Sequence, residues 1–396
     1  MYRIKGRIQH YSWGGKTFLR DLLNIDEPVE LPYAEYWLGV HPNGVSSVML
    51  SENATTGLQT FIQSDKKKYL GQHVLANFNA LPFLLKVLDV KDMLSIQVHP
   101  TQQAAIAGYH RENELGIPLD APNRNYKDQN HKPEIMVALS DFWLLHGFAA
   151  DIEIRLDKYP LLNSFKSDFL DGGIRSLYKK IMELPQQEID RLLSVHAANI
   201  IPRFEKGEFN RDSPDYWAAR AFIVFDSNDG HFDRGIFSIY LFNILHLKQG
   251  EGVFQGAGMP HAYLEGQNIE LMSNSDNVLR AGLTNKHVDI PALLSNLEFV
   301  PTIPSIIHGN LNNIHTYYPS KVPDFELHSF FLRSGTMKGL EFVGPSIMIM
   351  LSGKADLIGP VQYKSNGFNA FYVNPNEHLQ IKVEEDLLLF VATVPN

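Results

Sequence analysis

No cysteine occurs among the 396 residues, which removes disulfides, thiol catalysis, iron–sulfur clusters and cysteine-type zinc sites together. Any metal must be held by His, Glu, Asp or an amide oxygen. Redox chemistry therefore does not set the compartment. Long apolar runs are missing as well: the longest, Leu387 to Val394, is far too short to cross a bilayer. The opening residues Met1 to His10 lack the continuous apolar stretch of a signal peptide. A cytoplasmic protein with no membrane partner is the expectation. Sustained like-charge blocks, low-complexity tracts and short-period repeats are absent, and Lys plus Arg total 35 against 44 Asp plus Glu, a formal charge of −9. That balance argues against nucleic acid as a partner. An anionic ligand has to be caught by a local basic cluster.

What is present suffices for a large core: 44% of the residues are hydrophobic, and the length is that of two or three domains. Up to residue 148, short apolar runs (Val45 to Leu50, Phe83 to Val90, Leu94 to Val98, Ile135 to Leu139) are broken by Gly, Pro and Asn, the punctuation of sheets. Helical pieces are expected at Thr17 to Asn24 and Gln102 to Tyr109. From about 151 to 231 the period lengthens. Ile174, Leu177, Tyr178, Ile181 and Met182 recur at helical spacing, as do Ile189, Leu192, Leu193 and His196, and Asp215 to Phe225 reads as a third helix. The strand pattern returns with Ile236 to Leu247 and Val253 to Gln255. After about 316 it continues in short strands, with turns expected at Gly353 and Asn366-Gly367. The fold class is mainly β with a helical insertion.

Chemistry-bearing residues enter these strands in phase. In Leu94-Ser-Ile-Gln-Val-His-Pro100, Gln97 and His99 are two apart, so on a strand they share a face opposite Ile96 and Val98. Lys132 and Glu134 lead into the apolar run Ile135 to Leu139, where buried charge needs a partner or a metal. His261 adds a second imidazole after the turn at Gly258. One amide oxygen, two imidazoles and one carboxylate form a ligand set suited to zinc with room for water or substrate. Downstream, Glu270 alternates with Ile269 and Leu271, and Asp276 and Arg280 stand four apart.

These segments together resemble the type I mannose-6-phosphate isomerases, zinc-dependent enzymes with a cupin core. The resemblance runs through Gln9-His-Tyr-Ser-Trp-Gly14, Ala34 to Pro42, Leu81 to Leu88, Leu94 to Pro100, Arg124 to Glu134, Pro260 to Tyr263 and Ser275 to Thr284. It implies one Zn2+ per chain on Gln97, His99, Glu134 and His261. It also implies a cupin jelly roll formed by 1–150 and 232–315, a helical insertion at 151–231, and a second, metal-free jelly roll at 316–396. The implied reaction interconverts mannose 6-phosphate and fructose 6-phosphate through an enediol, with Arg280, Lys132, Asp276, Glu270 and Tyr263 as catalytic candidates. Lys86, Ser95 and Lys286 are the substrate and phosphate candidates, in a monomer. Lys86, Lys132, Arg280 and Lys286 would then form the local basic cluster that the acidic chain requires. Two positions depart from the family pattern: His10 stands where Asn is usual, and Asn285 replaces the common proline. The competing reading is a noncatalytic sugar-phosphate-binding cupin or scaffold.

Overall fold

The computed structural model describes residues 1–26, 30–51, 54–225 and 230–395. Its strands form two antiparallel sheets, and helices pack against both of them. The site-bearing sheet is built on His261–Ser273, Phe83–Val90, Glu134–Ala138 and Glu35–Gly39. His261–Ser273 lies between Phe83–Val90 and Glu134–Ala138, and Phe83–Val90 in turn pairs with Glu35–Gly39. The other sheet contains Glu326–Leu332, Ser346–Ile358, Asn369–Val373 and Leu379–Thr393. It also takes Tyr2–Lys5, which pairs with Asn369–Val373, and the hairpin Ser47–Ser51 with Ala54–Gly57. Residues 1–150 therefore contribute strands to both sheets.

Strand phase explains how the sheets stack. Phe83, Leu85 and Val87, Ile135 and Val137, and Ile269 and Leu271 are fully buried against Ile347, Ile349, Tyr372 and Phe390 of the opposite sheet. The alternate residues, Leu84, Lys86, Leu88, Glu134, Met136 and Glu270, must point to the other face, into the barrel interior. All eight residues of Phe83–Val90 are buried, so a polar residue on the inner phase is enclosed whatever its charge.

Helices occupy the stretch where the long period occurs: Ile152–Lys158, Lys166–Glu183, Gln186–Glu205 and Pro214–Val224. Ile174, Leu177, Tyr178, Ile181 and Met182 face one core with Ile96 and Val98. The expected strand from Ile236 to Leu247 is corrected: Gly235–Leu241 is a helix and only Phe242–Leu247 is a strand. Every residue of that helix is buried, and a continuous apolar run carries no period to separate the two states. Gly353 is also not a turn. It sits at φ 93° inside the single strand Ser346–Ile358, where the pairing register shifts, so its left-handed backbone makes a bulge. Helices at Leu58–Ser64 and Lys66–Asn77 had no expectation.

Because Leu271 is fully buried between the sheets, Leu271→Ala should cost about 2–5 kcal/mol, read as a lower urea midpoint. An unchanged midpoint would mean the two sheets do not depend on this interface.

Candidate active site

Three side chains from three strand ends converge. His99 follows the short strand Gln97–Val98, Glu134 opens Glu134–Ala138 and His261 opens His261–Ser273. One ligand atom of each lies within 4.8 Å of the others. His99 Nε2 is 3.3 Å from one Glu134 oxygen and His261 Nε2 is 3.2 Å from the other. The backbone fixes both rings. His99 Nδ1 lies 3.0 Å from the Asn277 carbonyl and His261 Nδ1 lies 3.0 Å from the Met259 carbonyl. A carbonyl only accepts, so each Nδ1 carries the proton and each Nε2 presents a lone pair. Both Nε2 atoms are buried without a hydrogen-bond partner. Two lone pairs facing a carboxylate is an arrangement that a cation relieves. Burial holds the His99 imidazole down to about 4, against the pull of Glu134, so it stays neutral and able to ligate. Burial raises the Glu134 carboxyl, but the Lys132 ammonium outweighs it and holds the group well below its usual range.

Gln97 pairs in register with His261 on one side and with Arg280 on the other, which places its amide beside the cluster. Ile96 and Val98 are fully buried against the helices, as the strand phase predicts.

A chamber of about 150 Å³ is lined by Gln97, Lys132, Glu134, His261, Tyr263, Glu270, Asp276 and Lys86. Beside it, a cleft of about 1270 Å³ is lined by Gln97, Ser95, Arg280 and Lys286. Gln97 and Glu35 border both spaces. The sequence candidates thus divide between an inner and an outer compartment. Lys132 Nζ lies 3.2 Å from Glu134. Asp276 accepts from Asn43 at 2.9 Å and lies 3.3 Å from His41 Nε2. Burial raises its carboxyl, but His41 and Lys132 prevail and keep it below its ordinary value. Tyr263 donates to Gln255 at 3.3 Å, and burial keeps its phenol protonated, far above the ordinary tyrosine value.

Lys86 is not beside Ser95 and Lys286. Its ammonium is 2.7 Å from Glu270 and 3.5 Å from Glu35, with both ends of each pair under 10% exposed. Burial opposes its charge, yet Glu270 and Glu35 raise its pKa overall. Burial also raises the Glu270 carboxyl despite Lys86. Strand register sets Lys86 directly opposite Glu270.

Arg280 and Lys286 have no carboxylate partner among the described residues. Lys286 is pushed down by partial burial and then by Arg280 and Lys127. Such cation crowding suits an anion.

Sequence reasoning missed Glu35, His41, Asn277 and Asp128. Glu35 had a signal, since it opens the fully buried strand Glu35–Gly39, whereas His41 lies past its end. Asn277 and Asp128 had none: they lie on loops, where Asn277 donates to the Asp128 and Asn130 carbonyls.

With this geometry in place, comparison with known proteins is decisive. Residues 1–150 match the family model described as phosphomannose isomerase type I, catalytic domain. Mannose-6-phosphate isomerase of Salmonella typhimurium is 38% identical over 307 residues, covering 76% of this chain and 75% of that one. The chain belongs to the type I phosphomannose isomerases. The Bos taurus mannose-6-phosphate isomerase is 30% identical over 97% of this chain and 96% of its own. A crystal structure of the Salmonella typhimurium isomerase bound to its substrate fructose 6-phosphate and to zinc superposes with a TM-score of 0.87 at 31% identity, over 100% of both chains. The family's cupin fold is thus the fold of this chain.

Breaking a buried ion pair from one side leaves the other charge stranded. Lys86→Met should therefore cost about 3–5 kcal/mol, read as a drop in melting temperature, and adding Glu270→Gln should restore part of it. A Lys86→Met protein as stable as the parent would contradict the pairing.

Proposed function

We infer that the protein interconverts mannose 6-phosphate and fructose 6-phosphate as a zinc-dependent aldose–ketose isomerase. The observation that carries this reading is the pair of buried, unpartnered Nε2 atoms of His99 and His261 facing Glu134. Their donor set fits Zn2+, with Gln97 as the fourth ligand and one ion per chain. When bound, zinc supplies a positive charge that polarises or orients the sugar oxygens at C1 and C2.

The chain's own residues divide the remaining work. Isomerisation moves a proton between C1 and C2 and develops negative charge on oxygen. Asp276 is the proton carrier best prepared by its surroundings: it lines the chamber, stays ionised and is backed by His41 and Asn43. Glu270 is engaged by Lys86 and serves to keep that ammonium in place. Lys132 holds Glu134 and presents positive charge to the chamber. Tyr263 stays a neutral phenol whose proton is engaged by Gln255, so it lines the chamber without adding charge. Arg280 stands in register with Gln97, so its guanidinium serves the oxyanion of the enediolate, and Lys286 with Ser95 serves the phosphate. On this reading the protein works as a monomer in the cytoplasm.

A coupled assay of mannose 6-phosphate conversion tests the reading, with elemental analysis on the same preparation. Turnover with about one zinc per chain, both lost in His99→Ala, is expected. Full activity in chelator with no divalent metal would refute it and favour a different chemistry in this chamber.

The two cations of the cleft differ in the kinetic parameter they govern. Arg280→Ala should lower turnover about a hundredfold or more while the Michaelis constant stays within about tenfold. Lys286→Ala should mainly raise the Michaelis constant. Equal effects on both parameters in both variants would contradict the division.

A further inference from the structure

Asp324 reaches from the second sheet to the site-bearing sheet. It lies between the strands Thr316–Tyr318 and Glu326–Leu332, and its side chain is 9% exposed. One carboxylate oxygen accepts from Ser273 Oγ at 2.8 Å. Both oxygens lie 3.1 Å from His131 Nε2. Asp324 thereby ties together two segments that each lead into the chamber. His131 precedes Lys132 and Glu134, while Ser273 follows Met272 and precedes Ser275 and Asp276, all five of them chamber-lining. The segments also meet directly, through Ser273 N–H to the Pro133 carbonyl at 3.2 Å and the register Met272 to Glu134. Among the described residues, none from 316 onward lines the chamber.

We propose that Asp324 is a positioning residue for the isomerisation, holding the His131–Glu134 segment against the end of His261–Ser273 so that Lys132 and Glu134 keep their place opposite His261. A buried carboxylate is satisfied only while both donors remain in reach, because a displaced segment leaves a buried acceptor unpaired. Movement of either segment is thereby penalised, and the second sheet acquires a part in catalysis without touching substrate. Small misplacements of catalytic groups are costly in rate even when the changed residue is remote. The inference rests on the proposed work of Lys132 and Glu134 in the chamber.

The test uses the full-length, zinc-loaded enzyme and Asp324→Asn, which keeps the shape but replaces one acceptor oxygen by a donor. Turnover of mannose 6-phosphate should fall about tenfold or more, with the Michaelis constant within about twofold. Zinc should dissociate several-fold more readily to a competing chelator, since groups behind the ligands tune metal affinity. His131→Asn should show the same split, and the double variant should lose little more than either single one. Should Asp324→Asn not fold, Ser273→Ala carries the same test, removing one hydrogen bond while the charge stays paired. Parent-like turnover and zinc retention in a folded variant would overturn the proposal. So would independent, multiplying losses, or a loss that tracks melting temperature alone. A parent that does not isomerise mannose 6-phosphate would instead refute the functional reading, and the zinc-release ratio would still decide the role of Asp324.

Discussion

Two imidazole lone pairs aimed at one buried carboxylate is the constraint around which the rest of the structure is arranged. His99 and His261 cannot turn away, because the Asn277 and Met259 carbonyls engage their Nδ1 atoms. Glu134 cannot escape to solvent, because it opens a strand whose residues are all buried. Left alone, this arrangement would be unfavourable. It persists because Lys132 supplies one positive charge, and because the folded scaffold holds a donor set matched to a dication. The long central strand His261–Ser273 carries His261 at one end and Glu270 along its inner phase, so one sheet register orders both the ligand cluster and the Lys86 pair.

Charge is managed at two depths. Inside, each lysine is matched to carboxylates: Lys86 to Glu270 and Glu35, Lys132 to Glu134. Outside, Arg280 and Lys286 face the cleft without carboxylate partners among the described residues. A net charge of −9 therefore coexists with a local cluster of cations that suits an anion.

Much of this was legible in the sequence where a period or a lone charge in an apolar run gave the signal. Gln97 and His99 two apart, Glu134 ahead of Ile135 to Leu139, and Glu270 between Ile269 and Leu271 all marked inner-phase positions, and the structure brings them together. The helices at 166–183 and 186–205 followed from their spacing. Periodicity failed at Ile236 to Leu241, where apolar residues surround the whole helix, and at Gly353, where positive φ serves a bulge as readily as a turn. The Lys86–Glu270 ion pair was hidden because a strand shows which face a residue takes but not which residue opposes it; only the register reveals it. His41, Asn277 and Asp324 act across long sequence separations, and no local pattern reports such contacts.

The central claim is that the His99, Glu134 and His261 cluster exists to hold zinc. An anomalous difference map at the zinc edge, from crystals of the protein as purified, tests it most directly. The account predicts one strong peak at about 2.0–2.2 Å from His99 Nε2, His261 Nε2 and a Glu134 oxygen, with Gln97 Oε1 as the fourth ligand. No peak there, or a zinc ion bound elsewhere with this cluster left in place, would contradict it.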